Sequence, residues 1–234
     1  MKALVLAAGL GERMRPLTLE TPKPLLEAGG RPLLAWHLEK LAASGIRDVV
    51  VNTSWLADRF PRVLGDGSHW GLRLHYSYEG DTPLETGGGM LQALRLLGDA
   101  PFLAVNGDIW CDFDFAALPP EPEGDAHLVL VDNPPQHPAG DFLLHDATVR
   151  DAGEGQRLTF AGIGVYRASL FDDWRSVIGT AAGADETPPR FKLAPLLRAA
   201  MRRGGVSGQR HAGRWTDVGT PERLAALDAS LRVS

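Results

Sequence analysis

A glycine-rich turn near the N-terminus has the composition of a phosphate-binding loop. Gly9 and Gly11 follow a short apolar run, and glycine lets the backbone approach a ligand closely with its N–H groups free. Arg13 and Arg15 come next, and guanidinium groups bind phosphate oxygens through paired hydrogen bonds. Met14 stands where a Rossmann dinucleotide fingerprint requires its third glycine, and no Gly-Lys-Ser/Thr of a P-loop follows. The turn therefore suits a polyphosphate, although a surface turn with solvated arginines has the same composition.

Lys23 is a second cation to which we assign a chemical role. It lies in the segment Thr-Pro-Lys-Pro-Leu, and a lysine between two prolines has a restrained backbone. Only four of the 24 basic residues are lysines, so lysine is not the usual surface cation of this chain. A compact ammonium group is suited to neutralising the charge of an α-phosphate. We therefore favour a functional Lys23 over a solvated one.

Two aspartates have the chemistry of ligands for a hard metal ion. Asp108 follows the apolar run 102–106, and open α/β sheets bind ligands beyond the carboxyl ends of their strands. Asp217 lies in the segment Trp-Thr-Asp-Val-Gly-Thr. Two carboxylates without His or Cys in either segment suit Mg²⁺. The alternative for Asp108 is an ordinary helix cap at the end of a strand.

A second glycine-rich segment begins a predicted helix. Thr86, Gly87 and Gly88 open the helix over residues 86–97, and the N–H groups at a helix start can contact a base or a phosphate. Thr86 can cap the same helix, and the two roles do not exclude each other.

The elements that must position these residues alternate between strands and helices. Apolar runs predict strands over residues 2–7, 48–52, 72–76, 102–106, 126–132 and 159–166. Periodic apolar residues predict helices over residues 32–44, 86–97, 191–203 and 221–231. This order predicts one Rossmann-like α/β domain over residues 1–234, with a mostly parallel sheet flanked by helices. The polar stretch 133–156 is too long for a simple connection, so we expect a small β excursion around residues 133–158, as a hairpin or a binding loop.

Composition excludes several classes of protein. The 234 residues are 44% hydrophobic and 23% charged, as in an ordinary globular domain. A net charge of −5 without a basic face argues against a nucleic-acid partner. No apolar run approaches the roughly 18 residues of a membrane span, and the N-terminus lacks a signal peptide, so we expect a cytoplasmic protein. The single cysteine, Cys111, cannot form an internal disulfide.

Read as one window, the N-terminal motifs resemble a family signature. The run Leu-Ala-Ala-Gly-x-Gly-x-Arg-Met-x-Pro-Leu-Thr, followed by Pro-Lys-Pro-Leu, resembles that of the sugar-1-phosphate nucleotidyltransferases. The segment Trp-x-Asp-Val-Gly-Thr and others match in order, so the resemblance covers most of the chain. It implies an enzyme that joins a nucleoside triphosphate to a sugar 1-phosphate and releases pyrophosphate.

The resemblance implies a role for each matching residue. Arg13 and Lys23 would be catalytic, and Asp108 and Asp217 would hold Mg²⁺ against the triphosphate. The implied nucleotide-binding residues are Ala8, Gly9, Gly11, Glu12, Arg13, Lys23, Glu79, Thr86, Gly87, Gly88 and Asn106. The implied sugar-binding residues are Asp141, Glu154, Gly162 and Lys192.

Two departures from the common family pattern bear on the substrate. The usual Pro-Leu-Gly-Thr-Ala-Gly is Pro-Leu-Glu-Thr-Gly-Gly-Gly here, with Glu85 at the first glycine, and this form resembles the short uridylyltransferases that act on N-acetylmuramate 1-phosphate in cell-wall sugar recycling. Many relatives bind the sugar phosphate with the lysine of a Glu-Lys-Pro segment, which is absent beside Glu154. Lys192 is the candidate replacement for that lysine. The alternative is that Lys192 is an ordinary exposed residue of a helix. N-acetylmuramate bears a lactyl carboxylate that hexose phosphates lack. We expect Arg190 and Lys192 to begin a helix facing the sugar, where either could bind this carboxylate.

Three other functions stay open. A mannose-1-phosphate guanylyltransferase and a glucose-1-phosphate thymidylyltransferase share the same motifs. A non-catalytic nucleotide-sugar sensor would be expected to lose Arg13, Lys23 or Asp108, and all three are present. The oligomeric state is left open.

Overall fold

The apolar runs of the sequence form the strands and helices of an α/β fold. The computed structural model describes residues 1–232. Its strands are β1 (Lys2–Leu6), β2 (Glu27–Ala28), β3 (Arg31–Pro32), β4 (Asp48–Thr53), β5 (Arg73–Tyr78), β6 (Phe102–Asn106), β7 (Ile109–Cys111), β8 (Ala126–Val131), β9 (Phe142–His145), β10 (Thr148–Arg150), β11 (Arg157–Tyr166), β12 (Val206–His211) and β13 (Trp215–Asp217). Its α-helices are α1 (Leu33–Ala43), α2 (Arg59–Leu64), α3 (Glu85–Leu97), α4 (Trp174–Ile178), α5 (Ala194–Arg202) and α6 (Pro221–Arg232).

Nine strands form one sheet in the order β5-β4-β1-β6-β11-β8-β12-β10-β9. The strands β5, β4, β1 and β6 are all parallel, which matches the predicted alternation of strands and helices. The sheet is mixed beyond β6, because β11 runs antiparallel to both β6 and β8 while β8 and β12 are parallel. The predicted α/β fold with helices flanking the sheet is confirmed, and the sheet predicted as mostly parallel is parallel from β5 to β6 and mixed beyond.

Alternating side chains of the strands build a core on each face of the sheet. Ala3 and Val5 of β1 pack with Leu38 of α1 on one face, whereas Leu4 packs with Met90 of α3 on the other. This alternation follows from the two-residue period of a strand. Both faces of β1 are therefore buried, which explains its uninterrupted apolar sequence.

The predicted β excursion is a hairpin. β9 and β10 pair antiparallel, β10 also pairs with β12, and the start of β11 pairs with β9. The hairpin extends the sheet at the edge far from β5. Along residues 1–232, no helix is long and apolar enough to cross a membrane.

Strand register brings the chemically interesting residues to one edge of the sheet. Leu6 at the end of β1 is in register with Asn52 of β4 on one side and Asn106 of β6 on the other. The small antiparallel pair β7 and β13 sets Asp217 opposite Ile109, directly after Asp108. Segments that are far apart in the chain therefore meet where β1, β4 and β6 end.

Candidate active site

A cleft of about 660 Å³ opens where β1, β4 and β6 end. Its walls come from the turn after β1, the loop between β5 and α3, and short segments at Asp108, Arg190 and Gly219. Nine of the predicted nucleotide-binding residues line it, namely Ala8, Gly9, Gly11, Glu12, Arg13, Lys23, Glu79, Thr86 and Asn106. Glycines and charged side chains thus share one cavity.

A buried threonine shapes the turn after β1. Gly11 has a φ of +64°, a left-handed backbone that glycine adopts without a steric penalty. The Thr18 hydroxyl donates to the Gly11 carbonyl at 2.8 Å, and a Cβ on Gly11 would lie 2.8 Å from Thr18 Cγ2. Met14 is fully buried, whereas Arg13 is exposed and lines the cleft. The turn thus leaves Arg13 accessible to a ligand.

Lys23 and Asp108 form an ion pair in the cleft. The distance from Lys23 Nζ to Asp108 Oδ2 is 2.6 Å, with the lysine side chain 10% exposed and the aspartate side chain 40% exposed. A buried ammonium group requires an anionic or polar partner, and Asp108 supplies it. The two motifs that carry these residues are therefore brought into direct contact.

The backbone at Asp217 is joined to that at Asp108. The Val218 N–H donates to the Asp108 carbonyl at 2.8 Å. The Asp217 carboxylate accepts from Arg223 Nη1 at 2.7 Å and from Gln136 Nε2 at 2.6 Å. Asp217 itself is not part of the cleft wall, whereas Gly219 is.

Asp108 and Asp217 have the donor chemistry that a magnesium ion requires. Asp108 and Asp217 are partly exposed carboxylates on neighbouring backbone segments, and oxygen anions are the donors that a hard ion prefers. No group of three or more His, Cys, Asp or Glu side chains within residues 1–232 has the geometry of a metal site. Mg²⁺ in phosphoryl-transfer sites uses one or two carboxylates together with phosphate oxygens and water, so two aspartates are sufficient.

Asn52 is a cleft residue that was not predicted from the sequence. Its Oδ1 accepts from the Ala7 N–H at 2.5 Å, and its Nδ2 donates to Glu79 Oε1 at 2.5 Å. Glu79 Oε2 accepts from the Leu84 N–H at 2.8 Å, and burial raises the pKa of this carboxyl. Any Cβ on Gly89 would clash with the same carboxylate. Asn52 and Glu79 therefore connect the turn after β1 to the start of α3. The sequence signal for Asn52 was a polar residue at the end of a buried strand.

The role predicted for Gly87 and Gly88 needs correction. Their N–H groups donate to the Phe191 carbonyl at 2.9 and 3.0 Å, so they are not free for a base or a phosphate. A Cβ on Gly87 would lie 2.6 Å from the Phe191 ring, and one on Gly88 would clash with the Pro189 carbonyl. These glycines allow the segment before α5 to pack against the start of α3.

The predicted sugar-binding residues lie outside the cleft wall. Gly162, at a bulge in β11, approaches the Asn106 side chain so closely that a Cβ would lie 2.6 Å from Asn106 Nδ2. The Asp141 carboxylate accepts from the Phe160 N–H at 2.8 Å and lies 3.1 Å from His137 Nε2. Glu154 is exposed in the connection between β10 and β11. Of the three, Gly162 is in contact with a cleft residue.

The helix predicted to begin at residue 191 begins at Ala194. The Phe191 N–H donates to the Leu84 carbonyl and its carbonyl accepts from α3, so its backbone is committed to another segment and cannot open a helix. Arg190 lines the cleft, whereas Lys192 is exposed outside the cleft wall. Arg190 rather than Lys192 is therefore the cation that a ligand in the cleft would meet.

Comparison with known protein families shows the family to which the chain belongs. The signature described as Nucleotidyl transferase matches residues 2–142, more than half of the chain. The chain belongs to the nucleotidyl transferase family. The resemblance seen in the sequence is confirmed by this match.

Relatives of this nucleotidyl transferase match it over nearly its whole length. The N-acetylmuramate alpha-1-phosphate uridylyltransferase of Neisseria meningitidis serogroup B is 50% identical over 236 residues, covering 98% of this chain and 97% of its own. The protein of the same name from Caulobacter vibrioides is 37% identical, covering 98% and 96%. The solved inositol-1-phosphate CTP transferase from T. maritima has a TM-score of 0.77 at 18% identity over 99% of this chain and 96% of its own, which shows the same fold. The chain is a sugar-1-phosphate nucleotidyltransferase.

His37 anchors the strand that follows Asp108 in this nucleotidyl transferase. His37 is buried on α1, and its Nε2 lies 2.9 Å from the carbonyl of Ile109, the residue in register with Asp217. Its Nδ1 is buried without a hydrogen-bond partner in the described part of the chain. Burial, opposed by the bond to Ile109 and aided by the charge of Lys40, lowers the pKa of His37 to about 4.

We expect His37 to make the fold sensitive to acid. The folded protein takes up this proton only near pH 4, whereas the unfolded chain takes it up near pH 6.5, so stability falls as the pH drops from 6.5 to 4. The loss should be roughly 3 kcal/mol. Urea unfolding between pH 4 and 7 measures it, and His37→Gln, which keeps a donor but does not titrate, should show a shallower pH dependence. His145→Gln on the exposed hairpin is the control. An unchanged slope in His37→Gln would contradict the assignment.

Proposed function

We propose that this nucleotidyl transferase moves a uridylyl group from UTP to N-acetylmuramate 1-phosphate and releases pyrophosphate. The observation that carries the proposal is the 50% identity to the Neisseria enzyme of that name over 98% of this chain. The Pro-Leu-Glu-Thr-Gly-Gly-Gly motif supports the same subgroup. The product would be a UDP-sugar of cell-wall recycling, and we place the reaction in the cytoplasm, where UTP is made.

The proposed chemistry is a single displacement at phosphorus. An oxygen of the sugar phosphate attacks the α-phosphorus of UTP, the bond to the bridging β-phosphate oxygen breaks, and pyrophosphate leaves on the opposite side. The turn after β1 would bind the phosphates, with Arg13 and Lys23 neutralising charge on the transferred group. The protein contributes position and charge rather than a covalent intermediate.

Asp108 and Asp217 would hold Mg²⁺, and the bound ion would supply further charge neutralisation at the triphosphate. Each carboxylate already pairs with a cation, Asp108 with Lys23 and Asp217 with Arg223, which supports a site for positive charge at these positions.

Arg190 is the proposed partner of the lactyl carboxylate. It lines the cleft, and Glu186 orients it through two hydrogen bonds, from Nε at 3.1 Å and from Nη2 at 2.7 Å. A guanidinium group binds a carboxylate more firmly than it binds a neutral hydroxyl. Asp141, Glu154 and Gly162 stay predicted contacts of the sugar.

Pyrophosphate release with a panel of substrates tests the function. We expect UTP with N-acetylmuramate 1-phosphate to give the highest kcat/KM among UTP, dTTP, GTP and CTP combined with muramate, N-acetylglucosamine, glucose and mannose 1-phosphates. Arg190→Ala should lower kcat/KM for the muramate substrate about tenfold or more, with a smaller effect on N-acetylglucosamine 1-phosphate, which lacks the lactyl group. Arg202→Ala, an exposed arginine near the end of α5, is the matched control. Equal use of the two amino sugars, or a preference for GTP with mannose 1-phosphate, would overturn the assignment.

A further inference from the structure

Glu85 has a backbone conformation that disfavours its own side chain. Its φ is +62°, in the left-handed region, and it opens α3. Glycine adopts this conformation freely, whereas a residue with a Cβ meets a steric penalty. Within residues 1–232, the other non-glycine residues with positive φ are Leu56 and Asp146. Strained residues of this kind cluster at functional sites.

The Glu85 carboxylate is not used to hold the fold together. Glu85 is exposed and lines the cleft beside Thr86 and Arg190. Within the described residues, no hydrogen bond or ion pair involves its carboxylate. Arg190 is already paired with Glu186, and the hydrogen bonds to Glu186, its charge and, to a lesser degree, the charge of Glu85 raise the pKa of the guanidinium. The charge of Glu85 thus acts on Arg190 from a distance, and its oxygens are free to accept from a ligand.

The helix dipole does not explain a glutamate at this position. An acid in the first turn of a helix is favourable, but the same benefit is available at residue 86, where the backbone φ is not positive. Glycine at residue 85 would remove the strain and keep the helix. The side chain at residue 85 therefore contributes something other than stability.

We propose that Glu85 is a specificity-determining residue that accepts hydrogen bonds from the sugar of the sugar 1-phosphate, beside Arg190. This inference rests on the proposed function. The Glu85 carboxylate accepts hydrogen bonds, and the Arg190 guanidinium beside it binds anions. Together they match a ligand that carries a hydrogen-bond donor next to an anionic group. An N-acylated amino sugar with a neighbouring acidic ether has that arrangement, because its amide N–H and its carboxylate are borne on adjacent ring carbons. Uracil also offers an N–H donor, but it carries no anion for Arg190.

Kinetics with separate titration of the two substrates tests this role. Glu85→Gly should lower kcat/KM for N-acetylmuramate 1-phosphate about tenfold or more while the KM for UTP stays unchanged, because a hydrogen bond to a charged acceptor is lost. The same variant should melt at a higher temperature than the wild type, since the left-handed strain is relieved. Glu85→Gln keeps the size of the side chain and should lower kcat/KM in the same direction.

Asp146→Gly is the matched control. Asp146 has a φ of +53°, its side chain is 92% exposed, and it lies in the turn between β9 and β10 away from the cleft. The Asp146→Gly variant should have a higher melting temperature, with the KM for UTP and the KM for the sugar 1-phosphate both unchanged. Unchanged sugar kinetics in both Glu85 variants, or a higher KM for UTP in place of an effect on the sugar, would overturn the proposal. If the wild type prefers another sugar 1-phosphate, the proposed function fails, and the Glu85 variants are then measured with that preferred substrate.

Discussion

Asp108→Asn is expected to reduce turnover on the order of 100-fold or more while the protein stays folded. The substitution replaces a negative oxygen donor by a neutral amide in the proposed magnesium site, and it also removes the charge that faces Lys23 at 2.6 Å. Asp217→Asn should have an effect of the same order, because it removes the second carboxylate of the same proposed site. A hydrogen bond from Val218 holds the backbone at Asp217 beside Asp108. Both side chains are partly exposed, so neither change disturbs the apolar core.

Initial rates of pyrophosphate release measure the loss, and Mn²⁺ titration in the presence of UTP measures ion binding separately. Asp132→Asn is the matched control, since Asp132 is an exposed aspartate paired with Arg210 outside the cleft. Near-normal turnover and ion binding in either variant would remove that aspartate from the metal site.

Lys23→Ala is expected to lower kcat on the order of 100-fold, with a much smaller change in the KM for UTP. The physical reason is that negative charge on the transferred group rises in the transition state, so a fixed ammonium group stabilises that state more than bound UTP. Asp108 is 40% exposed, so water can solvate its carboxylate after the lysine is removed.

Lys23→Met separates charge from packing. The lysine stem is buried in the turn Lys23–Leu25, and methionine fills a similar volume without the charge. Both variants should show the same fall in kcat if charge is the cause. A rise in KM for UTP with kcat unchanged would make Lys23 a binding residue of the ground state.

Long apolar elements were predictable because their sequence carries its own period. The predicted strand over 102–106 is β6, and the predicted helix over 32–44 differs from α1 by one residue at each end. The sequence of β12, Val-Ser-Gly-Gln-Arg-His, has no such period, and its extended form depends on pairing with β8 and β10. The insertion of β11 between β6 and β8 is also a property of the whole sheet, which no local pattern encodes.

Some residues of the candidate site could be predicted from local sequence, whereas others depend on contacts between distant segments. The turn after β1, Lys23 and Asp108 belong to local motifs, and the structure brings them to one cleft. Asn52 was not predicted because its partners, Ala7 and Glu79, are distant in sequence. The choice between Arg190 and Lys192 depends on the backbone bonds of the residue between them, which sequence periodicity cannot show.

The bonds between Phe191 and the start of α3 have a consequence for how this enzyme can diverge. The Phe191 backbone bonds to Leu84, Gly87 and Gly88, so the start of α3, which bears Glu85, and the segment that bears Arg190 share one interface. A mutation that adds a side chain at either glycine must be accompanied by a change near residue 191, so the two segments should co-vary among relatives. Grafting substrate preference from one relative to another would therefore require exchanging both segments together. The family match ends at residue 142, yet the two segments joined by these bonds lie on either side of that boundary.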